Sequence, residues 1–296
     1  MKILFTADLH LLRGTIEGIL EKVRGWISSL KPDVIVIAGD IANASQAFDA
    51  LGNLRRSIPD KPIVICLGNH DFWLHKDARN ECRGLSDVID RYWAPAAREF
   101  DILLLDRENF RLKELTIAGG YGHYDFGFAV PRLAYRGVIV TEKDYLRGCP
   151  FANSSLRWRD FQLMPGDLHP RIIASEQVRG VTTRLRAAGD GPLIVVFHTP
   201  PFEELLGIPA LRELSDDSPL SEYAFFRAYL GNRSMGAALR SLKNKLLAIV
   251  CGHTHRQAGP VKLDDVVGIN IGSDYGHPKA ALYTSETMIM ERVPDP

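Results

Sequence analysis

Polar residues that can bind metal ions follow five separate apolar runs of this sequence. The clearest case is the run over 64–67, which passes directly into Gly-Asn-His-Asp at positions 68–71. Each run is predicted to be a buried β-strand that delivers its polar residues at its carboxyl end, where α/β sheets bind ligands. The side chains placed in this way are Asp8, His10, Asp40, Asn69, His70, Asp71, His198, His253 and His255.

This set of side chains combines carboxylate, imidazole and amide groups and contains no thiolate. Such groups suit divalent Mn, Fe or Zn ions, and the absence of cysteine from this set of residues argues against a structural zinc site. One ion needs about three or four protein ligands, whereas seven are present besides His70 and Asp71. We therefore expect two ions that share a carboxylate, roughly 3.5–4 Å apart. Each residue alone could be a helix cap or a turn residue, but recurrence at five strand ends favours a metal site.

The elements that hold these residues alternate between strand and helix over the first seventy positions. Strands are predicted at 33–38 and 63–67, each preceded by an amphipathic helix. Such β-α-β units have parallel strands and right-handed crossovers, so their carboxyl ends should meet at one edge of one sheet. Near the carboxyl terminus, the His253-Thr254-His255 segment should be extended, with both imidazoles on the same side.

The remaining segments are predicted from apolar spacing and turn residues. A long insertion over about 121–190 is irregular apart from one helix at 172–187. No boundary divides the chain sharply, so we expect a single domain over residues 1–296. The other predicted segments are a helical region at 77–100, a surface loop at 205–219, a short helix at 237–246, and antiparallel strands at 266–271, 279–283 and 287–291.

Composition limits the class of protein. The 36 basic and 36 acidic residues balance, so no global charge excess favours nucleic acid. No apolar run approaches the roughly 18 residues of a membrane span, and a carboxylate at position 8 argues against a signal peptide. We expect a cytoplasmic protein without a membrane partner.

Taken in order, five blocks of the chain resemble the signature blocks of the calcineurin-like metallophosphoesterase superfamily. The blocks are Asp8-x-His10, Gly39-Asp40, Gly68-Asn69-His70-Asp71, His198 and Gly252-His253-Thr254-His255. The resemblance implies a four-layer αββα fold of the α/β class. In that fold two mixed β-sheets pack face to face between flanking helices, unlike the doubly wound sheet suggested by the first third of the chain. It also implies hydrolysis of a phosphate mono- or diester by a hydroxide that bridges two metal ions.

The resemblance also implies a role for each residue of the five blocks. The implied ligands of the first metal are Asp8, His10 and His255. The implied ligands of the second metal are Asn69, His198 and His253. Asp40 would bridge the two ions, His70 would contact a phosphoryl oxygen or protonate the leaving group, and Asp71 would orient His70.

Substrate contacts are predicted in the insertion because it leaves the strand that ends at Gly119-Gly120. Its first residues should lie near the metals, and its arginines could form a wall of the cleft. An aromatic, arginine-rich wall suits a small phosphorylated molecule with a flat group, possibly a nucleotide. The predicted residues are Tyr121, His123, Tyr124, Asp125, Arg157, Arg159 and Arg171.

Three other functions can be compared with this hypothesis. Double-strand-break repair nucleases share the five blocks, but balanced charge and the lack of an obvious DNA-capping domain make DNA or RNA the second choice. A non-catalytic scaffold, such as the phosphoesterase-fold subunit of retromer, is less favoured because every ligand position is intact. A dinucleotide-binding protein is excluded by the absence of G-x-G-x-x-G after the first strand.

Overall fold

The structure, a computed structural model, describes residues 1–11, 14–135, 137–150, 154, 157–166, 169–208, 222–242 and 246–296. The strands in chain order are β1 (Lys2–Thr6), β2 (Val34–Ala38), β3 (Ile63–Cys66), β4 (Ile102–Leu104), β5 (Phe110–Leu112), β6 (Leu115–Gly120), β7 (Ala134–Tyr135), β8 (Val138–Ile139), β9 (Leu193–Phe197), β10 (Leu246–Cys251), β11 (Ala258–Leu263), β12 (Val266–Asn270), β13 (Ala280–Thr284) and β14 (Ile289–Val293). The α-helices are α1 (Ile16–Leu30), α2 (Ala47–Ser57), α3 (Lys76–Glu81), α4 (Leu85–Val88), α5 (Ala94–Glu99), α6 (Glu142–Arg147), α7 (Asp160–Leu163), α8 (Pro170–Ala187), α9 (Glu222–Phe226) and α10 (Arg233–Arg240).

Two six-stranded sheets form the centre of the protein. The first has the order β14-β13-β1-β2-β3-β4, and the second has the order β11-β12-β10-β9-β6-β5. In the first sheet β1 to β4 are parallel, and β13 and β14 add antiparallel strands. In the second, β12, β10, β9 and β6 are parallel, and β11 and β5 are antiparallel edges. Both sheets are therefore mixed, as predicted.

Alternating side chains on the strands divide the core into layers. Ile3 and Phe5 of β1 pack with Val196 of β9 in the cluster between the sheets. Leu4 points the other way, into a cluster with α1 and α2, and Val195 packs outward against α8 and α10. Because both faces of each sheet are buried, these strands are apolar throughout, without polar alternation. The predicted four-layer αββα architecture is confirmed.

Parallel strand order brings the polar turns together. The turns after β1, β2 and β3 lie side by side, and backbone hydrogen bonds join two of them directly. The N–H of Asp8 donates to the carbonyl of Gly39 at 3.0 Å, and that of His10 donates to the carbonyl of Asp40 at 2.9 Å. The N–H of His253, from the second sheet, donates to the Asp8 carboxylate at 2.9 Å. The two sheets therefore meet at one candidate site.

The insertion is more ordered than the sequence indicated. Besides α8, which begins at Pro170, it contains α6, α7 and the β7–β8 hairpin. A capping box starts α6, because Thr141 and Asp144 satisfy each other's backbone N–H groups. The insertion also joins α9 in an aromatic cluster. The cluster includes Tyr124, Phe126, Tyr145, Phe225 and Tyr229.

Other segment predictions need correction. The helical region at 77–100 is broken into α3, α4, a π-helical turn over Ile89–Trp93, and α5. The short helix predicted at 237–246 is α10 instead, because Asn232 caps its start by accepting from the N–H of Met235. The edge strand β11 was not predicted because it contains Pro260. Most of the predicted loop at 205–219 lies outside the described residues.

Along the described ranges, we find no helix with the length and apolar character needed to cross a bilayer.

Candidate metal centre

The backbone of the candidate ligands is unusual. Five of them have positive φ angles. Residues other than glycine rarely adopt this backbone region, and holding one residue there costs on the order of 1–3 kcal/mol. The residues are Asp8 (52°), His10 (41°), Asp40 (53°), His253 (73°) and His255 (54°). The prediction that the His253-Thr254-His255 segment is extended is therefore wrong. Left-handed turns, which cluster at functional sites, aim these side chains inward.

Two glycines allow the turns to approach the carboxylates closely. A Cβ atom at Gly68 would collide with the side chain of Asp40, and one at Gly252 would collide with the side chain of Asp8. Gly68 directly precedes Asn69 in the sequence, and Gly252 directly precedes His253. Their role is therefore to admit a buried carboxylate against the backbone.

A first group of ligand atoms surrounds one point. Asp8, His10, Asp40 and His255 each offer an atom, and these atoms lie within 4.8 Å of one another. The Nε2 atoms of His10 and His255 are 3.4 Å apart, and His10 Nε2 lies 3.6 Å from Asp40 Oδ2. On its outer side, His255 Nδ1 lies 3.4 Å from the Asp274 carboxylate. That contact leaves Nε2 free to bind a cation.

A second group lies on the other side of Asp40. Asn69 Oδ1 is 3.1 Å from His198 Nε2 and 3.0 Å from His253 Nδ1, and the two ring nitrogens are 3.1 Å apart. His198 Nε2 also lies 3.3 Å from Asp40 Oδ1. The two oxygens of Asp40 therefore face different groups, which is the geometry that a bridging carboxylate requires.

Outer hydrogen bonds set the tautomers of the second group. His198 Nδ1 lies 2.9 Å from the carbonyl of Ala38, and His253 Nε2 lies 3.0 Å from the carbonyl of Tyr229. A carbonyl can only accept, so each of these ring nitrogens carries the proton. In the neutral rings, the lone pairs of His198 Nε2 and His253 Nδ1 then point at the same place. This arrangement is typical of metal-binding histidines.

Burial and neighbouring charge shift the pKa values in this cluster. Burial lowers the pKa of His10 to about 3 and that of His70 to about 4, so both rings are neutral at pH 7. Burial also opposes charge on His198 and Asp40, but their mutual attraction outweighs it. The pKa of His198 rises to about 9, and that of Asp40 falls well below its usual range. A bound cation would displace the His198 proton and take over its charge.

His70 and Asp71 occupy different environments. His70 Nε2 lies 3.9 Å from Asp40 Oδ2, and its side chain is 17% exposed, so part of its ring faces solvent. The Asp71 carboxylate is buried and accepts hydrogen bonds from the backbone N–H groups of Ile41, Ala42 and Gly68 at 2.7–2.9 Å. Asp71 thus joins the turn after β2 to the turn after β3 through hydrogen bonds. The expectation that it orients the His70 ring directly is not met by any described contact.

Most of the predicted substrate wall is buried or turned away. Tyr121, His123 and Tyr124 are each 1% exposed or less, because they pack into the aromatic interior. Arg171 forms an ion pair with Glu142 at 3.0 Å on the surface. Arg159 is exposed and lies close enough to Tyr275 to lower the pKa of its hydroxyl, against the larger opposing effect of burial. Two predicted contacts remain. Asp125 accepts a hydrogen bond from the hydroxyl of Ser234, and Arg157 lies 4.0 Å from Cys149 Sγ.

Four residues near the site were not predicted. Trp73 stacks on His70 with ring centroids 3.6 Å apart, and Tyr275 stacks on His10 at 4.3 Å. Trp158 lies edge-on to His253 at 5.8 Å. Asp160 accepts a hydrogen bond from Asn69. Trp73 could have been found from its position three residues after His70, but no local pattern marks the other three.

The fold matches solved structures over nearly the whole chain. A Thermus thermophilus protein, TT1561, is 13% identical with a TM-score of 0.56, and the match covers 100% of this chain and 99% of that one. A dimetal phosphatase from Danio rerio is 14% identical with a TM-score of 0.50, covering 95% and 92%. At this identity the matches show the fold alone.

The family follows from the sequence itself. Residues 1–257 match the family model described as calcineurin-like phosphoesterase. The chain therefore belongs to the calcineurin-like phosphoesterase family, a family of metal-dependent phosphoester hydrolases.

Two curated relatives resemble part of the chain. One is the UDP-2,3-diacylglucosamine pyrophosphatase LpxG of Chlamydia muridarum, 37% identical over 97 residues, or 31% of this chain and 29% of the relative. The other is the protein of the same name from Chlamydia trachomatis, 31% identical over 106 residues, or 34% and 31%. The chain thus matches less than a third of the length of each relative.

Proposed function

We propose that this protein hydrolyses small phosphate esters with two divalent metal ions held between its sheets. The observation that carries the proposal is the convergence of seven ligand side chains in two groups, with Asp40 facing both. The donors fit such ions, because the outer hydrogen bonds leave His198 and His253 with lone pairs directed inward. Two bound ions would polarise a phosphoryl oxygen and lower the pKa of a water molecule, which supplies a nucleophile near neutral pH.

His70 is proposed as the catalytic residue outside the ligand set. Its ring is stacked on Trp73, which fixes its plane, and its Nε2 atom lies 3.9 Å from Asp40 Oδ2. A neutral imidazole there can donate one hydrogen bond to a phosphoryl oxygen or to the leaving group. Arg159, which is exposed and lies near Tyr275, can neutralise a second anionic oxygen.

The substrate class is proposed from the exposed ring of Tyr275 beside the candidate metal centre. Tyr275 is 52% exposed while one face of its ring covers His10, so its outer side offers a platform for a flat group. The partial likeness to pyrophosphatases of a UDP-linked sugar supports a nucleotide joined through a diphosphate. We therefore propose a nucleotide-linked diphosphate as the preferred substrate, cleaved at a phosphoester or diphosphate bond.

The test is a comparison of substrates on one metal-loaded preparation. Metal-stripped protein is reconstituted with Mn²⁺, Zn²⁺ or Fe²⁺ and given p-nitrophenyl phosphate, its bis ester, a UDP-sugar and single-stranded DNA. The expected result is metal-dependent hydrolysis with the highest kcat/KM on the UDP-sugar. Tyr275→Ala should raise KM for the UDP-sugar, while Tyr275→Phe, which keeps the ring, should not. Preference for DNA, or no hydrolysis with any metal, would contradict the proposal.

A further inference from the structure

A buried carboxylate of the insertion contacts the candidate metal centre. Asp160 lies at the start of α7, is 1% exposed, and is 91 residues from Asn69 along the chain. Its Oδ1 atom accepts from Asn69 Nδ2 at 3.1 Å and from Trp73 Nε1 at 2.8 Å. We propose that Asp160 is a positioning residue that orients Asn69 as a ligand of the second metal, an inference that depends on the two-metal function proposed above.

The orientation of the Asn69 amide decides whether it can bind a cation. The side chain of Asn69 has an oxygen that can bind a cation and a nitrogen that cannot, and the two exchange places when the amide turns over. An ionised carboxylate only accepts hydrogen bonds, so it pairs with the NH₂ end alone. While Asp160 holds that end, Oδ1 of Asn69 must face His198 and His253, at the distances of 3.1 and 3.0 Å described above.

Asp160 is itself held in place by the insertion. Its Oδ2 atom accepts from Trp158 Nε1 at 2.9 Å and from the hydroxyl of Tyr124 at 3.2 Å. All four described donors to this carboxylate are neutral. The carboxylate is therefore held by hydrogen bonds and not by any described cationic side chain. Tyr124, predicted as a substrate contact, acts here as a support for the ligand sphere. The same carboxylate also fixes Trp73, on which His70 is stacked.

The direct test is Mn²⁺ titration of the metal-stripped full chain by calorimetry. The parent should bind two ions in two steps. Asp160→Asn keeps the shape but leaves one acceptor oxygen for four donors, so it should weaken one step by roughly 10–100-fold and leave the other unchanged. Asp125→Asn is the matched control. Asp125 is also a buried carboxylate of the insertion, but it accepts hydrogen bonds from Ser234 and Gly127. This variant should retain both steps.

The possible failures are distinguishable. If the parent binds a single ion, the two-metal function is wrong. If the parent and Asp160→Asn bind two ions with equal affinities, only the positioning role is wrong.

An exchange pair keeps the test valid if Asp160→Asn does not fold, as judged by circular dichroism. Asn69→Asp alone places two carboxylates against each other and should weaken the same binding step that Asp160→Asn weakens. Asn69→Asp combined with Asp160→Asn restores one donor and one acceptor, and it should recover that step. A double variant that binds no better than Asn69→Asp would overturn the inference.

Discussion

The strand-end turns and the insertion contribute to the same site by different physical means. Every candidate ligand lies within a few residues of the end of a strand, so parallel pairing alone brings the turns together. The insertion contributes Asp160, which reaches Asn69 only because α7 is packed against the turn after β3. Metal chemistry is thus encoded locally, whereas the support of the ligands depends on tertiary packing.

The largest effect is expected at the residue shared by both metal groups. Asp40→Asn removes the charge that faces His10 at 3.6 Å and His198 at 3.3 Å. We expect the loss of most activity and of at least one equivalent of metal, measured by elemental analysis after gel filtration. Retention of both ions with normal turnover would show that Asp40 does not bridge them.

A smaller effect is expected where a strand-end turn carries catalysis without binding metal. His70→Asn removes the imidazole beside Asp40 but leaves every candidate ligand in place. The rate should fall about 10²–10⁴-fold while the metal content stays at the parental value. A variant depleted of metal would mean that His70 is a ligand, and the division between ligands and catalyst would have to be redrawn.

The smallest effect is expected at His123, in the buried part of the insertion, where the change should appear in stability instead of turnover. His123 is fully buried between Tyr121 and Tyr124, no described residue hydrogen-bonds its ring nitrogens, and burial lowers its pKa to about 3. Below about pH 6.5 the unfolded chain binds a proton that the folded chain does not, so stability is lost as pH falls. This single group should cost about 2 kcal/mol between pH 7 and pH 5.

Urea unfolding with a chelator present measures this cost. His123→Phe keeps an aromatic ring in place but cannot titrate, so its free energy of unfolding should fall less between pH 7 and pH 5 than that of the parent. His75→Phe changes an exposed histidine and should behave as the parent does. Equal pH dependence in the parent and in His123→Phe would argue against a neutral, buried His123.

The same contrast explains which features could be predicted from the sequence. Apolar runs that end in polar residues identify strands and candidate ligands together, so the candidate ligand set could be inferred from them. The four layers were implied only by the resemblance of the five blocks to a known superfamily. The residues after Gly119-Gly120 looked like an exposed aromatic loop, but packing against Phe72 and Asp160 buries them. Asp160 has no local pattern that distinguishes it from other acidic residues. Its role depends on contacts across 91 positions, which neither spacing nor composition encodes.

Anomalous diffraction from crystals grown with Mn²⁺ would test the two-metal centre most directly. The proposed function predicts two peaks roughly 3.5–4 Å apart, with Asp40 between them. The ligands predicted for the first ion are Asp8, His10 and His255. The ligands predicted for the second ion are Asn69, His198 and His253. A single peak, or two peaks bound by other residues, would contradict the proposed centre.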